Sequence, residues 1–289
     1  MRPSAHVEYS NGFAVFDRSD NSHEVWVKAV KADQFQEFSH PHPSQVQASQ
    51  QAISNAEDSR GRFVPHLVLE NPVRTRAYRF VFPELLVASE AETTAHIWNV
   101  VEGKIIEAYS LDEYGNGDED SIHYVELSTR HIFVCFGTKL VVYQRASFSS
   151  LERDKLASGP PWKEAAPVFV LPRAFSSSQP IRFSVAPLPQ TSDTGEALRI
   201  TPVWSAPSLS PHFDERACFS AVHVSPDGRN LVAVTLEGLL FFARDFADRP
   251  DKRQVSAVEV NASIYNLAFD GTRVAFSAVY CPEWVSATN

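Results

Sequence analysis

The sequence predicts an antiparallel all-β fold, arranged as a β-propeller of four-stranded blades. Three observations carry that prediction. Apolar residues recur with period two, not 3.6, in short runs rich in Val, Ile, Phe, Tyr and Leu. Roughly twenty such runs follow one another, each bounded by Gly, Pro, Asn, Asp or Ser, with almost no helical pattern to supply parallel crossovers. A four-strand unit also recurs at about 40 to 50 residues where insertions do not intervene, which is the length of one propeller blade.

The elements follow in chain order. His6 to Ser10 meets Phe13 to Asp17 across Asn11-Gly12, a pair that tolerates the positive φ of a two-residue hairpin turn. Glu24 to Val30 and Phe63 to Glu70 complete the first unit. The second unit, Thr75 to Leu111, reads Ala77 to Phe82, Leu85 to Ser89, Ala95 to Val101 and Ile105 to Leu111. The third unit, Ile122 to Arg145, holds Ile122 to Ser128, His131 to Phe136 and Leu140 to Gln144, with Pro167 to Pro172 as its outer strand. Ile181 to Val185 and Leu198 to Val203 mark a degenerate unit that ends at Trp204. A further full unit, Cys218 to Phe246, holds Phe219 to Val224, Asn230 to Thr235 and Leu239 to Arg244, and is closed by Gln254 to Val260. Ile264 to Phe269 and Val274 to Val279 begin a last one. That makes five or six blades, with the N-terminal strands available to complete the last and close the ring.

Two stretches invite a helix assignment. Ser44 to Asp58 has weak apolar periodicity at Val46, Ile53 and Ala56, and Ser149 to Ala157 offers Ser149 as a cap with Glu152 three residues later. Three segments interrupt the strand pattern, at 36–62, 146–167 and 173–216. The same pattern resumes after each, so they read as surface insertions in a single propeller domain spanning residues 1–289.

Composition narrows the function classes. Twenty-six basic and 35 acidic side chains leave a net charge of −9, which disfavours a nucleic-acid backbone as the main partner. No apolar run approaches the roughly 18 residues a membrane helix needs. Cys135, Cys218 and Cys281 are few, odd in number and without a CxxC pair, and the N-terminus lacks an apolar leader. Both features point to a reduced compartment, cytoplasmic or nuclear.

Two short motifs resemble WD-repeat β-propellers. Ile97-Trp98-Asn99 stands where that family's Trp-Asp pair ends its third strand, and Ser225-Pro226-Asp227-Gly228 matches its frequent turn between first and second strands. Pro226 presets φ for a type I turn, and Gly228 can leave it with positive φ. Asn99 replaces Asp, the family's Gly-His pair is missing, and Tyr143 and Phe242 stand near where Trp is expected. The resemblance therefore implies blades held more by aromatic packing than by the family's hydrogen-bond network. The wording of the second unit is also similar to propellers found behind an F-box in fungal proteins, which implies substrate recruitment for ubiquitin ligation, although no F-box-like helical segment precedes the first strand.

Candidate chemistry is sparse. His40-Pro41-His42 lies in a Pro- and Gln-rich loop, where solvated histidines are the better reading than a metal pair. His123, His131 and His223 fall in strands and read as half-buried structural residues. The acidic turn with Asp112, Glu113, Asp118, Glu119 and Asp120 superficially suggests calcium. It lacks the closing bidentate Glu of a calcium loop, because position twelve counted from Asp112 is His123. There is no GxSxG, GxGxxG or GxxxxGK[ST], so no catalytic residue, cofactor or metal is assigned. Cys135 reads as a small buried hydrophobe. Arg74, Arg76 and Arg79 read as surface charge at a blade start.

The function that follows is a non-enzymatic interaction scaffold, a monomeric propeller whose loops and central channel mouth bind another polypeptide. Phe175, Trp204 and Phe213, set among prolines, are the candidate partner-binding anchors. The alternatives are the F-box role and, from another class, a propeller enzyme or carbohydrate binder with its site at the channel mouth.

Overall fold

The computed structural model describes residues 6–55, 61–89, 93–111, 121–137, 139–145, 162–163, 167–172, 181–187, 198–203, 218–246, 254–260 and 262–279. The chain divides into two compact units, Met1–Gly115 with Ser147–Ala165, and Asn116–Ala146 with Ala166–Asn289. Each is built of antiparallel meanders, the topology of propeller blades.

In the first unit, sheet I is β1 (Val7–Ser10), β2 (Phe13–Asp17), β3 (His23–Lys28) and β4 (Phe63–Leu69), in that spatial order. Sheet II is β5 (Ala77–Val81), β6 (Glu84–Ser89), β7 (Thr94–Asn99) and β8 (Lys104–Ser110). In the second unit, sheet III is formed by β9 (Ile122–Leu127), β10 (His131–Phe136) and β11 (Lys139–Gln144). After the short β12 (Trp162–Lys163), β13 (Pro167–Pro172) completes it as the outer strand. Then come β14 (Ile181–Pro187), β15 (Leu198–Val203), β16 (Phe219–Val224), β17 (Leu231–Thr235), β18 (Leu239–Arg244) and β19 (Gln254–Val260), which together form sheet IV. β20 (Ser263–Phe269) and β21 (Val274–Val279) pair as sheet V.

Apolar faces meet between sheets within each unit. Phe13, Val15, Val25, Val27, Leu67 and Leu69 of sheet I pack against Tyr78, Phe80, Leu85, Val87 and Trp98 of sheet II. Phe133, Cys135, Leu140 and Val142 of sheet III pack against Phe219, Leu231, Ala233 and Phe241 of sheet IV. The other face of sheet IV, with Ala221, Val234 and Val260, receives Ile264, Leu267 and Phe276 of sheet V. Sheet IV is therefore covered on both sides, which explains why β17, LVAVT, is apolar at nearly every position and buried throughout. β3, HEVWVK, alternates buried and half-buried residues because only one face of sheet I meets a partner sheet within its unit.

First strands of successive sheets stand side by side, β1 beside β5 in the first unit, and β9 beside β16 and β16 beside β20 in the second. Third strands carry the aromatic position expected from sequence. Trp26, Trp98, Tyr143 and Phe242 lie opposite Ala14, Leu85, Ile132 and Val232 of their second strands. Trp98 is 6% exposed, yet its Nε1 has no hydrogen-bond partner among the described residues. Leu85 opposite it offers no acceptor, so packing alone holds that indole.

The structure departs from the sequence expectation in four places. The hairpin β14–β15 is no separate blade, because β14 pairs in parallel with β19 and joins sheet IV. β12 likewise adds in parallel to β8. Both parallel additions follow long connections, which such pairing requires. The N-terminal strands build sheet I instead of completing the last sheet. The connection from β3 to β4 holds a 3₁₀ segment, Ala29–Phe38, that the sequence pattern did not show, followed by α1 (Pro43–Asn55) in place of the expected Ser44 to Asp58. Pro43 suits the first helical position, where a missing N–H costs nothing. Buried Gln45 then anchors α1, donating from Nε2 to the carbonyls of Leu67 at 3.2 Å and Val25 at 3.4 Å, beside a bulge in the β3–β4 ladder. The expected helix at Ser149 to Ala157 lies outside the described residues.

The Ser225 to Gly228 turn forms as its residues predict. Gly228 N–H donates to Ser225 O at 2.8 Å, Asn230 N–H donates to Ser225 Oγ at 2.9 Å, and Gly228 takes φ +73°. Gly238 is under a stronger constraint. Its φ is +91°, and a Cβ there would collide with the backbone carbonyls of Val260 and Ala262. Gly228 has positive φ but open space. In urea unfolding, Gly238→Ala is expected to lose more than about 2 kcal/mol, and Gly228→Ala about 1 kcal/mol or less. Equal losses would show that the carbonyl approach at Gly238 carries no weight.

Candidate functional site

The first strands form the edge of each unit at which side chains are both held and accessible. Of the seven exposed large hydrophobics among the described residues, four lie there: Val7 and Tyr9 on β1, Val81 on β5 and Tyr265 on β20. Val7 is 60% exposed and Tyr9 53%, although β1 is hydrogen-bonded along its length to β2. Tyr9 is fixed from below by the Phe63 ring, 6.1 Å between centroids, and by the Lys28 ammonium 5.3 Å from its own centroid.

Polar side chains tie these strands together. Arg79 Nη1 of β5 donates to Glu8 Oε2 of β1 at 3.2 Å, and His6 Nε2 lies 3.0 Å from Glu8 Oε1. Tyr78 Oη donates to the His6 carbonyl at 2.5 Å, and Phe82 N–H donates to Ser10 Oγ at 3.1 Å. The Glu8 hydrogen bond raises the His6 imidazole above its ordinary value against the opposing effect of burial. Burial pushes the Glu8 carboxyl up, but His6 and Arg79 together outweigh it and hold that group below its ordinary value. Burial drives the Tyr78 phenol far above the tyrosine range, so it acts as a neutral donor.

The second unit repeats the arrangement with different residues. His223 Nδ1 of β16 lies 2.7 Å from Glu126 Oε2 of β9, and Glu126 Oε1 accepts the Leu127 N–H at 2.9 Å. Ser220 Oγ reaches the carbonyls of Val234 at 3.4 Å and Ile264 at 3.5 Å, tying β16 to β17 and β20. The pairing of Glu126 with His223 was not apparent from sequence. Its one signal was a carboxylate inside the apolar run Ile122–Leu127, because a buried charge needs a partner.

The remaining sequence candidates separate. Phe175, Trp204 and Phe213 lie outside the described residues, as do the acidic turn and Cys281. His40 and His42 are exposed, and His42 Nδ1 lies 2.8 Å from Ser44 Oγ. His123 is exposed near Ser121, whereas His131 is buried against the rings of Phe133 and Phe246, so the two do not converge. His66 and His96 are buried, and burial lowers both below their ordinary value. Cys135 is fully buried and its thiol is pushed well up, the opposite of a nucleophile. Arg79, read from sequence as surface charge, is committed to Glu8, whereas Arg74 is exposed. No cluster of three or more His, Cys, Asp or Glu with metal-binding geometry occurs among the described residues. No described helix is long and apolar enough to cross a membrane.

No protein-family model and no curated protein sequence matches the chain. Solved structures do. The β-propeller domain of Cps50 (Swd1) from Myceliophteria thermophila aligns with TM-score 0.46 and 11% identity over 95% of this chain and 62% of that one. KlHsv2 with loop 6CD replaced by a Gly-Ser linker aligns with TM-score 0.39 and 12% identity, over 95% of this chain and 75% of that one. The chain spans less than two thirds of the first structure's length. At these scores neither likeness carries an argument, and the fold assignment rests on the sheets themselves.

Because folding raises His6 and lowers Glu8, their contribution to stability is greatest between the ordinary values, pH 4.5 to 6.5. It is lost on the alkaline side as pH rises through the raised His6 value, and on the acid side as pH falls through the lowered Glu8 value. His6 is half exposed, so the effect is small, about 0.5 kcal/mol or less. Urea unfolding of wild type and His6→Gln across this range is expected to show the stability gap peaking inside the window. A gap independent of pH would show that His6 contributes by packing alone.

Proposed function

We propose that this chain is a polypeptide-binding scaffold, a single interrupted propeller domain that recognises a protein partner along its first strands and through its inserted loops. One observation carries the reading: exposed apolar side chains concentrate on β1, β5 and β20, strands whose backbones are fixed by ladders and inter-strand pairs. An apolar side chain held in place in solvent loses little further freedom on binding, and that lowers the entropic cost of association. Tyr9 is of the residue type that dominates interface energetics, with a ring to bury and a hydroxyl to keep solvated. Phe175, Trp204 and Phe213 are proposed as additional anchors that extend the contact beyond the strands.

Two variants test the reading. Val7→Ser/Tyr9→Ser changes the first-strand surface, and Trp204→Ala/Phe213→Ala changes the inserted segment. Tagged chains are compared for the set of polypeptides captured by in-cell crosslinking and for thermal unfolding. Each variant is expected to lose the same specific polypeptides by about tenfold or more, with unchanged unfolding midpoint. Unchanged capture by the first variant would overturn the first-strand surface, and loss of fold in the second would remove the anchor role.

A further inference from the structure

The first four sheets grow outward from their second strands. β2 pairs with β3, β6 with β7, β10 with β11 and β17 with β18, always antiparallel. β21, the second strand of sheet V, breaks that pattern, because its ladder runs to β20 alone. Along Val274–Val279 alternate N–H and C=O groups therefore face outward with no backbone partner among the described residues. The strand carries none of the usual devices against pairing. VAFSAV contains no charge, no proline and no glycine. Nor is it loosely held, since Phe276 and Ala278 pack against Ala221, Val234, Val260 and Ile264 of the core beneath. A rigid, uncharged strand with an open hydrogen-bonding edge is a template for strand addition.

We propose that β21 accepts an antiparallel third strand from a second polypeptide. The four third strands already present define its chemistry. HEVWVK, TAHIWN, KLVVYQ and LLFFAR are each six residues long. Each places an aromatic in the middle or second half, at Trp26, Trp98, Tyr143 or Phe242, and ends on a polar residue, Lys28, Asn99, Gln144 or Arg244. The occupant is thus a short extended segment with an aromatic late in its run and a polar end. Its backbone supplies affinity along the edge, and its aromatic continues the seam that Phe276 begins. The inference rests on the scaffold reading only in taking a polypeptide as ligand.

A fluorescein-labelled synthetic peptide of the sequence Lys139–Gln144, added to the full-length chain, tests it without any cellular partner. Saturable binding is expected, with exchange of alternate amides in residues 274–279 slowed by about tenfold or more. Two further peptides carry N-methyl groups on one or the other alternate set of amides. Only one edge of the added strand faces β21, so one set should abolish binding and the other leave it. Absence of saturable binding at about 1 mM peptide, a weak limit for specific association, would overturn the proposal. So would protection confined to other residues, or equal binding of both methylated peptides. Because Val7 and Tyr9 play no part in this assay, its failure leaves the first-strand reading standing, and the crosslinking comparison can fail without touching β21.

Discussion

The apolar seam between neighbouring sheets is the constraint on which the rest of each unit depends. A four-stranded antiparallel sheet satisfies its own inner hydrogen bonds but leaves two faces to be covered, and a single such sheet buries too little to persist in water. Phe13, Val25 and Leu69 cover one side of the seam in the first unit, and Phe80, Leu85 and Trp98 the other. At about 2 kcal/mol for each large apolar side chain removed from solvent, these contacts outweigh any individual polar contact between the sheets. Trp98 makes the point directly. Its unpartnered Nε1 costs on the order of 1 to 3 kcal/mol, and the indole stays because its ring is buried.

Sheet-on-sheet packing also explains where polar chemistry is tolerated. Between first strands the seam narrows, and charged groups occur there only in complementary pairs. Glu8 answers Arg79 and His6 in one unit, and Glu126 answers His223 in the other. The residues differ while the role is the same: a carboxylate on one first strand bound by a cation or imidazole on the next. Breaking such a pair leaves a desolvated charge, so these contacts specify which strands lie side by side more than they add stability.

Most of the fold was legible because period-two alternation is a local signal, and each strand the sequence marked is a strand in the structure, within a residue or two at its ends. Three features escaped for a common reason, namely that they depend on partners distant in sequence. β14 and β12 have strand-like residues, but nothing in those residues states that they add in parallel to β19 and β8. Ala29–Phe38 carries scattered apolar residues with neither helical nor strand period, and Phe35 finds its place only against Phe13, Phe82 and His66. His223 was readable as a strand histidine and not as the counter-group of Glu126, a residue in another sheet. The first-strand surface was legible only as a general expectation about channel mouths, because exposure of Tyr9 and burial of Phe13 cannot be told apart from two aromatic residues four positions apart.

The contrast between β17 and β21 shows how the same local grammar yields a core strand in one place and an exposed edge in another. LVAVT and VAFSAV have similar composition and no charge. β17 is paired on both edges and covered on both faces, so every residue is buried. β21 is paired on one edge and covered on one face, so burial alternates along it. Its residues are those of an interior strand, without the lysine, proline or bulge that protects natural edges. Sequence and environment disagree there, and in a chain whose other strands are locally consistent with their surroundings, such a disagreement marks a position shaped by a contact beyond the sheet itself.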